Sequence, residues 1–168
     1  MALQAVETAV DPFASCASML ERLSKSIEEG VLSRSSELSA RELSLAASVR
    51  SVATTALEIV RRISRRASRE GVAHSEGRAY VYVEGNSFKF AKLRPSSVVL
   101  AFEGGSLRIQ TRRFVARLSE REMEYSDGRL SVKFEPANPK AYVEMYSEVK
   151  AASKVLEEEL SSWLARKL

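Results

Sequence analysis

The chain has 168 residues, 45% hydrophobic and 29% charged, with 26 basic against 22 acidic side chains and a formal net charge of +4. Folding at this length buries roughly 70% of the surface an unfolded chain exposes, so a core forms without staples, in one domain or two tightly packed lobes. A lone cysteine, Cys16, excludes an internal disulfide framework and fits a reducing, cytoplasmic setting. With His74 as the lone histidine, little material remains for a closed zinc site or a nucleophile–His–acid triad, and neither metal nor cofactor is expected. No apolar run approaches bilayer length and the N-terminus lacks a basic start followed by an apolar block, so neither a membrane partner nor a secretory signal is expected. Glu heavily outnumbers Asp, Arg outnumbers Lys, and the only amides are Gln4, Asn86, Gln110 and Asn138. That thermophile-like bias favours surface ion pairs among the Arg and Glu side chains.

The pattern reads helical over 1–71, β over 78–135 and helical over 139–168. Asp11-Pro12 opens a first helix over about 12–29, with Phe13, Cys16, Ala17, Leu20, Leu23 and Ile27 on one face and Gly30 as the stop. Leu3, Val6 and Val10 continue its phase upstream. Ser39-Ala40-Arg41-Glu42 is a capping box, flanked by Leu38 and Leu43 as a hydrophobic staple. A second helix then runs over 40–70, uninterrupted by Gly or Pro, with Leu45, Val49, Val52, Ala56, Ile59, Val60, Ile63 and Ala67 on one stripe. At about 1.5 Å per residue it is roughly 46 Å long. A globule of this size is roughly 40 Å across, so such a helix spans or overshoots it.

From Arg78 the period becomes two. Ala79 to Glu84 and Phe88 to Leu93 flank a Gly85-Asn86 turn, and Val98 to Phe102 reads as a central strand ending at Gly104-Gly105. Leu107 to Leu118 is one long run, with room for a bulge near Arg112-Arg113, and Met123 to Ser126 is short. Asp127-Gly128 signals a two-residue hairpin before Leu130, Val132 and Phe134. Short turns predict an antiparallel meander of about six strands. Asn138-Pro139 opens a last helix whose apolar arc holds Tyr142, Met145, Tyr146, Val149, Ala152, Leu156, Leu160, Trp163 and Leu164. The fold class is α+β: an N-terminal helical pair, a meander and a long C-terminal helix.

Two readings of function follow. In the first, the protein is a non-enzymatic assembly module. Leu45, Val49, Val52, Ile59, Val60 and Ile63, with Leu156, Leu160, Trp163 and Leu164, form apolar edges too long for one small body and dock on a second copy or a partner subunit. The alternative is a nucleic-acid-binding subunit of an RNA or DNA complex. Arg61, Arg62, Arg65, Arg66 and Arg69 fall on one helix face at about 100° per residue, a ridge suited to phosphates. Favourable contact with the helix C-terminal dipole explains the same cations without a ligand. Arg108, Arg112, Arg113 and Arg117 add a basic strand region, with Tyr80 or Tyr82 available for base stacking. A solvated ladder of Arg113 and Arg117 with Glu122, Glu124 and Lys133 is the competing explanation. Arg-Arg-Ile-Ser and Arg-Arg-Ala-Ser place Ser64 and Ser68 in a basophilic-kinase pattern, met often by chance. His74 near Glu76 reads as a loop histidine, Cys16 as a core residue and Glu157-Glu158-Glu159 as an exposed charge run.

Overall fold

A computed structural model describes residues 11–30, 36, 38–70, 79–92, 98–137 and 146–165, with side chains left aside at 66–70, 79, 80, 146, 164 and 165. Helix α1 spans Pro12–Gly30, α2 Ala40–Glu70 and α3 Tyr146–Ala165. Strands β1 (Ala79–Glu84), β2 (Ser87–Lys92), β3 (Val98–Glu103), β4 (Ser106–Thr111), β5 (Val115–Leu118), β6 (Met123–Ser126) and β7 (Ser131–Phe134) separate α2 from α3. Readings placed on Leu3, Val6, Val10, His74, Glu76, Leu93, Asn138-Pro139, Tyr142 and Met145, and on the side chains of Arg66, Ala67, Ser68, Arg69, Tyr80, Tyr146 and Leu164, lie outside the described set.

Both helical starts follow from the sequence. The Asp11 carboxylate accepts the Phe13 amide at 2.9 Å, with proline at the first helical position. Ser39 Oγ accepts the Glu42 amide at 3.2 Å, and its hydroxyl donates to Glu42 Oε1 at 3.1 Å. The capping box therefore closes through the serine hydroxyl.

All seven strands pair in sequence order, each antiparallel to the next. The expected long run of Leu107 to Leu118 is two strands, which makes seven where about six were expected. Thr111 explains the break: its Oγ1 accepts the amides of Arg113 at 3.1 Å and Phe114 at 3.3 Å, folding a tight turn around Arg112-Arg113. The device recurs at eight-residue spacing. Ser119 Oγ accepts the Arg121 amide at 3.4 Å, and Asp127 Oδ1 accepts Arg129 and Leu130 at 2.9 and 2.8 Å. A short oxygen-bearing side chain opening a turn mimics a backbone acceptor. The last turn therefore centres on Gly128-Arg129, one residue beyond the expected Asp127-Gly128 pair, and Gly128 takes the positive φ of 89°.

Register sets two unbroken apolar rows across the inner face. One is Val81, Phe90, Leu100, Ile109, Ala116, Tyr125 and Val132; the other is Val83, Phe88, Phe102, Leu107, Leu118, Met123 and Phe134. Three helices cover this face. α1 lies against β2 and β4, α3 against β7, and α2 packs between α1 and α3. The ties Arg61–Glu21 (2.6 Å) and Arg50–Glu28 (3.3 Å) run α1 antiparallel to α2. Lys150 donates to Ser44 and Ser48 at 3.0 and 2.9 Å, and Ser51 to Glu157 at 2.8 Å, which runs α3 parallel to α2.

This staggered cover corrects the expected docking edges. Leu45, Val49, Val52, Ile59, Val60, Ile63, Leu156, Leu160 and Trp163 are each no more than 1% exposed within a single chain. One short helix packs toward one end of α2, another toward the other, and the sheet lies beneath, so the long rod is enclosed without a neighbour. By length and composition Ala40–Arg65 would also suffice to cross a bilayer, contrary to the reading that no segment approaches that length. Here its apolar side is the centre of the protein core. Ile59→Ala is expected to destabilise the fold by about 2–5 kcal/mol, read as a lower denaturant midpoint, because it opens a cavity in a packed core. Cys16 is fully enclosed and burial pushes its thiol up to about 12. A thiol reagent is therefore expected to label it only at the rate of unfolding.

Candidate binding face

The inner face is consumed by the helices. Among the described residues no helix or strand lies over the outer face, whose side chains alternate with the apolar rows. They fall into three lanes running across the strands. A lane at one end carries Glu84, Glu103, Glu122 and Glu135. The middle lane carries Tyr82, Lys89, Ala101, Arg108, Arg117, Glu124 and Lys133. The third is neutral, with Val99, Gln110, Val115, Ser126 and Ser131. Tyr82 and Val115, at 52% and 41% exposure, are the exposed large hydrophobic side chains among the described residues.

The centre of the middle lane is unusual. Arg108 and Arg117 stand directly opposite each other on β4 and β5. Paired residues of this kind have Cα atoms about 4.5–5.5 Å apart, and like charges so placed repel. Among the described residues no acidic side chain lies within ion-pair distance of either, although Glu124 is opposite Arg117 in the register. Arg108 is half-buried, and its Nε is enclosed without a hydrogen-bond acceptor. Of the ladder expected on this face, the Glu122–Lys133 rung forms: Lys133 reaches Glu122 at 3.0 Å, and also Glu135 at 3.5 Å. Glu122 is the main cause that holds the Lys133 ammonium above its usual range.

The other two arginines of the strand region separate from this pair. Arg112 is exposed at the β4–β5 turn. Arg113 crosses to α3, where its Nη2 donates to Glu159 Oε2 at 2.8 Å. Glu159 Oε1 accepts the indole N–H of Trp163 at 3.0 Å. One carboxylate thus satisfies a buried indole and clamps a turn to a helix. The presumed exposed run of Glu157-Glu158-Glu159 therefore contains two half-buried structural acceptors, Glu157 and Glu159, and only Glu158 is exposed. Sequence spacing could not separate them, because Ser51 and Arg113 lie more than forty residues away and only the Trp163 indole is a near neighbour.

On the helical ridge, Arg61 is bound to Glu21, Arg62 has a partner of its own, and Arg65 is exposed. Ser64 is half-buried on the same helix. A groove of about 750 Å³ lies at one end of the sheet, between α1 and the turns before β2, β4 and β6. Arg22 and Glu120, which line it, already pair at 2.9 Å. No group of three or more His, Cys, Asp or Glu side chains gathers among the described residues.

The molecule is an α+β protein with one sheet face closed by helices and the other free of helix and strand among the described residues. Comparison with family models, curated proteins and solved structures finds no match to the chain.

The turn beside this face carries a titrating lock. The Arg129 amide, the Tyr125 hydroxyl at 2.9 Å and the Leu130 amide hold the Asp127 carboxyl below its usual 3.8. Burial, then that same bond to Asp127, push the Tyr125 phenol up to about 12. A depressed carboxyl contributes stability that is present above its unfolded pKa and is lost as pH falls through the folded one. Asp127→Asn is therefore expected to lose less stability than wild type as pH falls below about 4, measured by denaturant midpoints.

Proposed function

We propose that the protein is a non-enzymatic binding module and that its open sheet face receives single-stranded nucleic acid through phosphate contacts. The observation that carries this reading is the opposed pair Arg108 and Arg117, which makes no ion pair among the described residues. Two guanidinium groups placed against each other destabilise an empty face, and an anion between them reverses the sign of that interaction. Arginine presents a planar fork of donors that matches phosphate oxygens. Lys89 and Lys133 lie in the same lane, and Tyr82 offers an exposed ring on which a base can stack. The neutral lane beside the pair, with Gln110 and Val115, suits sugar and base contacts better than further phosphates.

The helical arginines carry less of this reading, since Arg61 and Arg62 are already partnered. Assembly through the helical stripes has less support, since their described side chains are covered within one chain.

Arg117→Glu is expected to weaken binding of a short fluorescent single-stranded oligonucleotide by about tenfold or more, at the scale of charge-assisted hydrogen bonds. Arg65→Glu is expected to change it less than twofold. The wild-type salt dependence should be shallow, with a slope near −1.4 for about two neutralised phosphates on a single strand. Equal loss in both variants, or binding to neither RNA nor DNA at low salt, contradicts the assignment of the face.

A further inference from the structure

We infer that the Arg108–Arg117 pair is a site for a single phosphomonoester, such as the terminal phosphate of a strand, and not for a run of backbone phosphodiesters. This deepens the reading above and rests on it. Three features of the face support the narrower ligand.

The first is that positive charge is concentrated at two adjacent strands. Along the lane, Arg108 is followed on one side by Ala101 and Arg117 on the other by Glu124. Lys89 lies two strands from Arg108, and Lys133 two strands from Arg117, each about 10 Å away at the spacing of neighbouring strands. Lys133 is also held by Glu122 and Glu135. A strand tracking the lane would meet Glu124 within one strand spacing of the pair, and that carboxylate repels a second phosphate.

The second is the acidic lane. Glu103 pairs with Ser106 across the β3–β4 turn, and Glu84, Glu122 and Glu135 extend the same lane. Backbone phosphates cannot run that way without meeting carboxylates about 7 Å from the cationic lane. Only the neutral lane is open, so the phosphate seats at the pair and the rest of the ligand lies over Val99, Gln110 and Val115.

The third is charge matching. Two guanidinium groups without an ion-pair partner among the described residues carry two positive charges, and a phosphomonoester carries close to two negative ones near neutral pH. A phosphodiester carries one and leaves the pair half-compensated. Ala101, opposite Arg108, is the smallest side chain of the lane, and a phosphomonoester brings three accepting oxygens to the pair.

The test compares labelled single-stranded oligonucleotides of one sequence carrying a 5′-phosphate, a 3′-phosphate or hydroxyls at both ends. Binding is measured with the full chain, and Arg108→Gln and Arg117→Gln variants are checked for denaturation midpoints no lower than that of the unaltered chain. A terminal phosphate should tighten binding by about 10- to 100-fold, and either variant should erase the difference. A nucleoside monophosphate alone serves as competitor. Competition at concentrations matching the phosphorylated strand identifies a free nucleotide as the ligand source, and much weaker competition identifies a strand end; both uphold the phosphomonoester site. Equal binding of phosphorylated and hydroxyl-ended strands overturns the inference and leaves the nucleic-acid reading standing. Failure of every oligonucleotide to bind, with the monophosphate still competing for nothing, overturns both. A terminal-phosphate effect that survives both glutamine variants places the site elsewhere and also overturns the inference.

Discussion

A sheet that is apolar on one side only must have that side covered. Seven strands at about 4.8 Å spacing make a surface roughly 29 Å wide, crossed by two continuous rows of large apolar side chains. No single helix covers that width, since packed helices lie about 8–10 Å apart. Three helices are used, and the middle one is long because it has to meet two shorter ones that overlap it at opposite ends. The ties between them are polar and sit at their rims: Arg61 with Glu21, Arg50 with Glu28, Lys150 with Ser44 and Ser48, Ser51 with Glu157. Exposed pairs of this kind add little to stability. Their geometry nonetheless fixes which residues of α2 stand beside which residues of α1 and α3. Ala46, Ala53, Ala56 and Ala152 let the helices approach closely while Leu, Val and Ile fill the layer below.

Covering one face leaves the other for the proposed binding. On a solvated antiparallel sheet, opposite charges across strands are the stable default, and Lys133 with Glu122 follows it. Arg108 opposite Arg117 departs from it at the middle of the sheet, where strands on both sides hold the backbone in place. A local unfavourable arrangement on a rigid scaffold is where a ligand gains most, because the positioning has been done by folding. The aromatic edge at Tyr82 and the neutral lane belong to the same surface.

Turns give the sheet its second kind of order. Thr111, Ser119 and Asp127 open three successive turns eight residues apart, and each accepts a backbone amide from an arginine two positions on. The arginine side chains then diverge in role. Arg113 crosses to Glu159 and through it to Trp163, while the backbone of Arg129 holds Asp127 and so the Tyr125 hydroxyl. The turn chemistry is local, but the anchoring it provides reaches the core.

The α+β order, the helix starts at Asp11 and Ser39, and most strand positions were legible in the sequence, because capping, periodicity of 3.6 or 2 and glycine turns act between near neighbours. The break at Arg112-Arg113 was read as room for a bulge and not as a turn, because a threonine-opened turn contains no glycine or proline to mark it. Apolar stripes on α2 and α3 were read correctly as stripes and wrongly as docking surfaces: a pattern states that a face must be buried, not what buries it. Likewise, the arginines of 107–117 were visible as a cluster, yet pairing register alone put Arg108 against Arg117, sent Arg113 to α3 and left Arg112 at a turn. The sequence by itself determined which segments become helix and strand and which side of each is apolar. Only the tertiary structure decided which helix covers which face and which charges meet, since both depend on contacts between residues far apart in the chain.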